Sequence, residues 1–273
     1  MYELERSFMT ARRLLLISFI IVNASSATDC SDLMVQCDYS YSEKGFGTDE
    51  QGTIECYDSI LQQCPNNAAA LYRYSQKLRE VGENDRALLS IEKAIQLSPD
   101  LDLNPQLPDF WYEKSVILCN MNELNKALSS INRSIELSKS EWASWYKKGE
   151  ILIKLSRYEE SVEAFAQAAR NSPDDISPLY QEALALYHLG KHNESIQICD
   201  EAIKILESNP MLYFDKGEAI GVWRCKGEAY HALEQDSSAE NAFKKAESLE
   251  NIDDIFSDEQ VAHPWKYPSN LTE

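Results

Sequence analysis

Large and small apolar residues recur along the chain in an order that predicts pairs of α-helices. Counting from Trp145, a large–small–large series is followed by a small–large–small series, and Pro173 closes the unit. Members of each series lie three, four or seven residues apart, which places them on one face of a helix. They are Trp145, Gly149, Leu152, Ser161, Phe165 and Ala168. The two halves of the unit therefore predict a helical hairpin.

The same order returns with a period of about 34 residues, from starts at Leu71, Trp111, Trp145, Leu179 and Trp223. One hairpin cannot bury its apolar face alone, whereas stacked neighbours bury a continuous core. The sequence therefore predicts an all-α solenoid of antiparallel helix pairs. The five hairpins are expected over 68–101, 108–141, 142–175, 176–209 and 220–251.

Two insertions interrupt the period, over 102–107 and 210–219. The second contains a local duplication, because Lys216-Gly-Glu-Ala returns ten residues later as Lys226-Gly-Glu-Ala. A shift of ten residues at about 100° each falls about 80° short of three full turns, so the copied face points in another direction. Either a long first helix or a kink near Gly217–Gly221 would accommodate the duplication.

Three opening blocks resemble the first helix of tetratricopeptide repeats: Trp111-Tyr-Glu-Lys-Ser, Trp145-Tyr-Lys-Lys-Gly and Trp223-Arg-Cys-Lys-Gly. The resemblance covers roughly residues 68–251 and is fullest over Trp145–Pro173. It implies an all-α, right-handed superhelical solenoid whose concave groove binds peptides or partner proteins. The closing proline is replaced in three units, by Lys139, Glu207 and Asn251.

Residues 28–67 are interpreted as a degenerate N-terminal repeat that caps the stack, since terminal repeats are atypical. In an oxidising compartment the four cysteines of this segment can form two disulfides, with three possible connectivities. The alternative is that they are small buried apolar residues. Zinc is disfavoured because their spacings are wider than the usual ligand pairs. The four are Cys30, Cys37, Cys56 and Cys64.

The first 27 residues predict a secretory signal peptide. Arg12 and Arg13 precede the apolar run Leu14–Val22, and small residues then lead to a cleavage site after Ala27. The alternative is an uncleaved membrane anchor, which is disfavoured because the run is about half of the roughly 20 residues that a membrane span needs. We therefore expect an exported protein: secreted, periplasmic or in the lumen of the endoplasmic reticulum.

Charge and composition narrow the classes of partner. The 273 residues are 44% hydrophobic and carry a formal charge of −19, so no basic surface for nucleic acid is expected. Part of the acidity lies in the C-terminal tail, 252–273, in which Ile252–Ala262 is a candidate for a short capping helix.

The residue after each buried opening position lies about 100° further round its helix, toward the groove of the solenoid. At four of these positions the chain has tyrosine, which offers a flat apolar surface and a hydroxyl group. We interpret them, with companions about two turns later, as a ladder that binds an extended peptide or an inserted helix. The alternative is that tyrosine is simply common at this place in such repeats. The candidates are Tyr72, Tyr112, Tyr146, Tyr180 and Arg224, with Arg79, Ile153, Tyr187 and His231.

No enzyme chemistry is expected. The chain has no Gly-rich phosphate loop, no G-x-S-x-G elbow and no HExxH motif. His188 and His192 have the spacing of a metal pair, but Gly190-Lys191 places a hairpin turn between them. We therefore predict no catalytic residue, metal, cofactor or small-molecule substrate.

The sequence thus predicts a non-catalytic interaction scaffold that binds a protein or peptide of unknown identity outside the cytoplasm. Two alternatives stay open: a lumenal or periplasmic co-chaperone that holds unfolded clients, and an accessory of an enzyme or an enzyme whose site is not recognised from its motifs. The Lys, Asn and Arg clamp with which one subclass of these repeats binds chaperone tails is absent. The corresponding residues are Tyr72, Gln76, Glu113, Ala143 and Lys147.

Overall fold

The computed structural model describes residues 50–98, 106–209 and 216–250, together with Cys30, Leu33, Met34 and Cys37. The predicted signal peptide, the tail 252–273 and residues 210–215 lie outside the described residues. Within the described ranges the regular structure is entirely α-helical. None of these helices is long and apolar enough to cross a lipid bilayer.

The chain divides into two compact units, Met1–Leu103 and Asn104–Glu273. The first unit contains α1 to α3 and the second contains α4 to α11. Their bounds are α1 Glu50–Gln63, α2 Ala68–Glu80, α3 Asn84–Leu97, α4 Leu107–Asn120, α5 Leu124–Leu137, α6 Trp142–Lys154, α7 Tyr158–Asn171, α8 Ser177–His188, α9 His192–Ser208, α10 Lys216–Ala232 and α11 Asp236–Glu250.

Neighbouring helices pack in pairs, α2 with α3 in the first unit and four further pairs in the second. In the second unit each second helix also packs against the first helix of the next pair. The predicted all-α architecture of stacked helix pairs is therefore confirmed.

Each pair is joined by the same turn. One residue has a φ between 58° and 82°, and the next donates its backbone N–H to the carbonyl oxygen five positions earlier, at 2.8–3.0 Å. This is the bond of a Schellman turn, which satisfies a carbonyl left unpaired at the end of the first helix. The left-handed residues are Gly82, Asn122, Ser156, Gly190 and Glu234.

Glycine allows a close approach between the two helices of a pair. A Cβ at Gly149 of α6 would lie 2.5 Å from Cε1 of Phe165, and one at Gly227 of α10 would lie 2.6 Å from Cε1 of Phe243. The small and large positions of the sequence pattern are thus partners in space. In the duplicated segment, Gly227 of the second copy occupies the position equivalent to Gly149.

The first copy extends α10 at its start. This helix runs without interruption through Gly217 and Gly221, so the chain adopts a long first helix rather than a kink. It begins at Lys216 and includes the last four residues of the segment 210–219 that the sequence analysis treats as an insertion. Similarly, α4 begins at Leu107, within the insertion 102–107.

Two disulfides connect residues before α1 to α1 itself and to the residue that follows it. Cys30 pairs with Cys64 and Cys37 pairs with Cys56, with Cα–Cα distances of 6.6 and 5.9 Å. This is one of the three connectivities that the sequence left open. The remaining cysteines, Cys119, Cys199 and Cys225, are buried thiols.

Glu182 of α8 is a carboxylic acid buried in the second unit, with 8% of its surface exposed. Burial and, to a lesser degree, the carboxylate of Glu201 raise the pKa of Glu182 to about 7, against the opposing charge of Arg170. The neutral form is therefore favoured in the fold well above the ordinary pKa of glutamate.

The glycine contacts lead to a paired prediction. Gly149→Ala should destabilise the fold by about 1–2 kcal/mol, because overpacking against Phe165 outweighs the gain in helix propensity. Phe165 is fully buried and cannot yield. Gly227→Ala should be close to neutral, because Phe243 is 39% exposed and its ring can swing into solvent. Urea denaturation of both variants tests the difference, and equal losses would contradict it.

The buried carboxylic acid leads to a second prediction. Because the folded-state pKa of Glu182 is raised, its contribution to stability is complete at acid pH and is lost as the pH rises through about 7. Glu182→Gln keeps the shape of the neutral acid. The difference in free energy of unfolding, variant minus wild type, should therefore increase by about 2 kcal/mol from pH 5 to pH 8. Glu207→Gln, at an exposed site on α9, is the matched control, and a pH-independent gap for Glu182→Gln would refute the assignment.

Candidate functional site

First helices of the second unit approach one another on one side of the stack. α4 contacts α6 and α8 contacts α10, although a second helix lies between them in sequence. The second helices α5, α7 and α9 each pack between two first helices. We call the side on which the first helices meet the inner surface; the predicted ladder residues of this unit all belong to these helices. Tyr72 and Arg79 belong to α2 in the first unit, where the Tyr72 hydroxyl accepts a hydrogen bond of 2.9 Å from Gln76 Nε2.

Tyr146 of α6 is half-buried and takes part in packing. Its ring lies edge-on to Phe165, with centroids 5.5 Å apart, and to Trp142 at 6.0 Å. Burial raises the pKa of Tyr146 to about 12, with contributions from the carboxylates of Glu150 and Glu218 and an opposing hydrogen bond to Gln181. One edge of the ring is therefore structural, and the hydroxyl group lies among polar groups of three helices.

Tyr180 of α8 covers the backbone of α10. A Cβ at Gly221 would lie 2.5 Å from Cζ of the tyrosine ring, so only glycine leaves room for it. Burial raises the pKa of Tyr180, and the negative charges of Glu218 and Glu228 add to the shift. Tyr180 thus joins two neighbouring repeats while part of its ring stays exposed.

Between α4 and α6 the inner surface is polar. Lys154 Nζ donates to Cys119 Sγ at 3.3 Å, and Lys147 forms an ion pair with Glu150. Tyr112 and Ile153 are half-buried on the same two helices. Burial lowers the pKa of Lys147, but the hydrogen bond and the negative charge of Glu150 raise it by more, so its net shift is upward.

The remaining ladder positions differ in character. Arg224 and His231 of α10 are exposed, and both pair with carboxylates of α11: Arg224 with Glu250, and His231 Nδ1 with Asp236 Oδ1 at 3.2 Å. Tyr187 lies at the end of α8, where its ring is 5.2 Å from that of His192. Some ladder residues therefore take part in packing, whereas others are exposed. Arg224 and His231 pair with residues at the two ends of α11 and do not continue the row of tyrosines.

Sequence reasoning missed a cavity of about 250 Å³ between α8 and α10. It is lined by Tyr180 and Leu184 of α8 on one side and by residues of α10, including Gly217 and Glu228, on the other. Glu218, next to Gly217 on α10, accepts a hydrogen bond from the Ser177 hydroxyl of α8. The local duplication was the available signal, because it placed extra residues on a helix of the inner surface.

A wider hollow of about 630 Å³ lies between α10 and α11. Lys226 lies over the rings of Trp223 and Tyr230, 5.2 and 5.8 Å from their centroids, and pairs with Asp200 at 2.5 Å. These contacts occupy the charge of Lys226, and the ion pair connects α10 to α9. We therefore assign this hollow to packing at the end of the stack.

No group of three or more metal-ligating side chains occurs in the part of the chain that the structure describes. His188 ends α8 and His192 begins α9, on either side of the turn through Gly190.

Comparison with known proteins identifies the architecture. Residues 110–176 match the family described as tetratricopeptide repeat. The curated protein UPF0656 protein C926.02 of Schizosaccharomyces pombe is 26% identical over an alignment of 110 residues, which covers 33% of this chain and 25% of that protein. The chain therefore spans about a quarter of the length of this relative.

Solved structures share the fold. MamA 41-end from Desulfovibrio magneticus RS-1 is 18% identical with a TM-score of 0.56, covering 68% of this chain and 97% of its own. YrrB, described as a TPR protein with an unusual peptide-binding site, is 18% identical with a TM-score of 0.55, covering 78% and 100%. A putative kinesin light chain of Podosopora anserina with nearly identical TPR-like repeats is 12% identical with a TM-score of 0.58, covering 70% and 98%. At these identities the likeness concerns the fold alone.

Proposed function

We propose that this chain, which is a tetratricopeptide-repeat protein, is a non-catalytic scaffold that binds a polypeptide segment along the first helices of its second unit. The observation that carries the proposal is the inner surface of α4, α6, α8 and α10, on which half-exposed tyrosines alternate with charged groups. Tyrosine loses little side-chain entropy on binding and offers both apolar contact and a hydrogen bond. The described peptide-binding site of YrrB, a protein of the same fold, supports a polypeptide ligand.

The packing of Tyr146 and Tyr180 favours a preformed surface. Each ring is fixed on one side, by Phe165 and by the backbone at Gly221 respectively. A partner therefore meets side chains that are already ordered, which reduces the entropy lost on binding. The same contacts make these two tyrosines unsuitable for truncation, because removing a ring would also remove core packing.

The charged groups of the inner surface are suited to positioning a ligand. Lys147 is paired with Glu150 and Arg224 with Glu250, and such pairs offer hydrogen bonds as well as charge. The alternative of a co-chaperone that holds unfolded clients gains no specific support. The exposed large apolar side chains in the described ranges are Leu89, Leu97 and Phe243, all on second helices.

We place this activity outside the cytoplasm. The apolar run Leu14–Val22 after Arg12 and Arg13 supports export, as do the two disulfides of the first unit, since such bonds persist in oxidising compartments. Protein recovered from its native source should begin at Thr28, as measured by intact mass and N-terminal sequencing. Recovery from the cytosol with residues 1–27 retained would refute the export proposal.

Site-specific photocrosslinking tests the groove. A benzoylphenylalanine at Val116 or Leu184, half-buried on α4 and α8, should capture one and the same polypeptide in the native source. A benzoylphenylalanine at Glu163, exposed on α7, is the matched control and should not capture it. Peptide mapping should place both groove crosslinks in a single segment of the partner. Capture from Glu163 with none from the groove positions would overturn the proposal.

A further inference from the structure

The cavity between α8 and α10 has the size and shape for one side chain. Its volume of about 250 Å³ is smaller than the sites that enclose drug-sized ligands. Its lining is mixed: the ring of Tyr180, Leu184 and Ile220 are apolar, Arg224 and Glu228 are charged, and Gly217 has no side chain. A long aliphatic stem can therefore lie against the apolar part of the lining while a polar head meets the charged part.

The charges around this cavity are predominantly negative. Glu228 lines it, and Glu218 follows the lining residue Gly217 on α10. The negative charges of both carboxylates add to the effect of burial in raising the pKa of Tyr180. Glu218 also accepts a hydrogen bond of 2.6 Å from the Ser177 hydroxyl, which fixes its position. The one cation in the lining, Arg224, is compensated by its ion pair with Glu250.

The extension of α10 adds one residue to this cavity. α10 is 17 residues long, compared with 12 to 14 for the first helices of the other pairs. Its additional residues are 216–219, which include the lining residue Gly217. Gly221 takes the place that Ala143 has in α6, and it is the absence of a side chain there that admits the ring of Tyr180. The site is therefore specific to this hairpin and is not a general property of the repeats.

We propose that this cavity receives a single arginine or lysine side chain of the polypeptide bound in the groove. The apolar stem packs on Leu184 and Ile220 while the cationic head reaches Glu228 and Glu218, as long basic side chains do at amphipathic sites. Arginine is the better fit, because its planar guanidinium also stacks on an aromatic face such as that of Tyr180. This inference rests on the proposed function and assigns the chemistry of one residue of the partner.

The test uses small probes and the whole mature chain. N-acetyl-arginine methylamide is titrated while the methyl signals of Leu184 and Ile220 are followed by nuclear magnetic resonance. N-acetyl-norleucine methylamide, which has an aliphatic side chain without the charge, is the comparison. The arginine probe should shift both methyl signals and bind about three- to fivefold more tightly at low salt, which is the range for a partly exposed ion pair. The preference should fall as salt is added.

Two variants test which carboxylate binds the cationic head of the arginine probe. Glu228→Gln should reduce the affinity for the arginine probe about threefold and leave the affinity for the norleucine probe unchanged. Glu207→Gln removes an equal charge from an exposed site on α9 and should change neither. Equal binding of the two probes, shifts that leave Leu184 and Ile220 unaffected, or no effect of Glu228→Gln would overturn the subsite. The groove proposal fails in a different experiment. If it is wrong, Val116 and Leu184 give no crosslinks, while the result of the probe titration does not change.

Discussion

Each helix pair depends on its neighbour to bury its apolar face. In the second unit every second helix packs against the first helix of its own pair and against that of the next pair. The burial is possible because small residues stand where helices must approach, as Gly149 does against Phe165. The stability of such an array is approximately a sum of nearest-neighbour terms. The inner surface exists because this packing brings the first helices together.

The periodic part of the fold could be predicted from the sequence because each helix pair repeats the same packing contacts. The large and small positions at Gly149 and Phe165, and again at Gly227 and Phe243, gave both the number of hairpins and their phase. The turn conformation was visible where the chain has Gly82 or Gly190, but Ser156 and Glu234 adopt the same left-handed backbone without such a signal. There the Schellman bond of the turn dictates the conformation, whatever the residue.

Features that depend on one contact rather than on a period were not predictable. The connectivity of Cys30, Cys37, Cys56 and Cys64 depends on how α1 meets the residues before it, which spacing does not determine. The ladder tyrosines were identified by their angle around the helix, and that angle does not show what lies beside a ring. Tyr180 meets the backbone of Gly221 because that residue has no side chain, so one side of its ring is covered by the fold itself.

The break in the period is therefore the most informative place for function. Residues that match the repeat pattern stabilise the stack of helix pairs, since every pair needs them to bury its apolar face. The extension of α10 adds to this burial, because Ala219 of the first copy is fully buried in the same core cluster as Val222. The second copy, with Gly227, occupies the place equivalent to Gly149, so the packing unit is kept. The first copy also adds Gly217 to the lining of the cavity between α8 and α10, and Glu218, which accepts a hydrogen bond from Ser177 of α8. A duplication that keeps the packing unit and adds residues at a surface cavity can alter which ligand is bound without altering the fold.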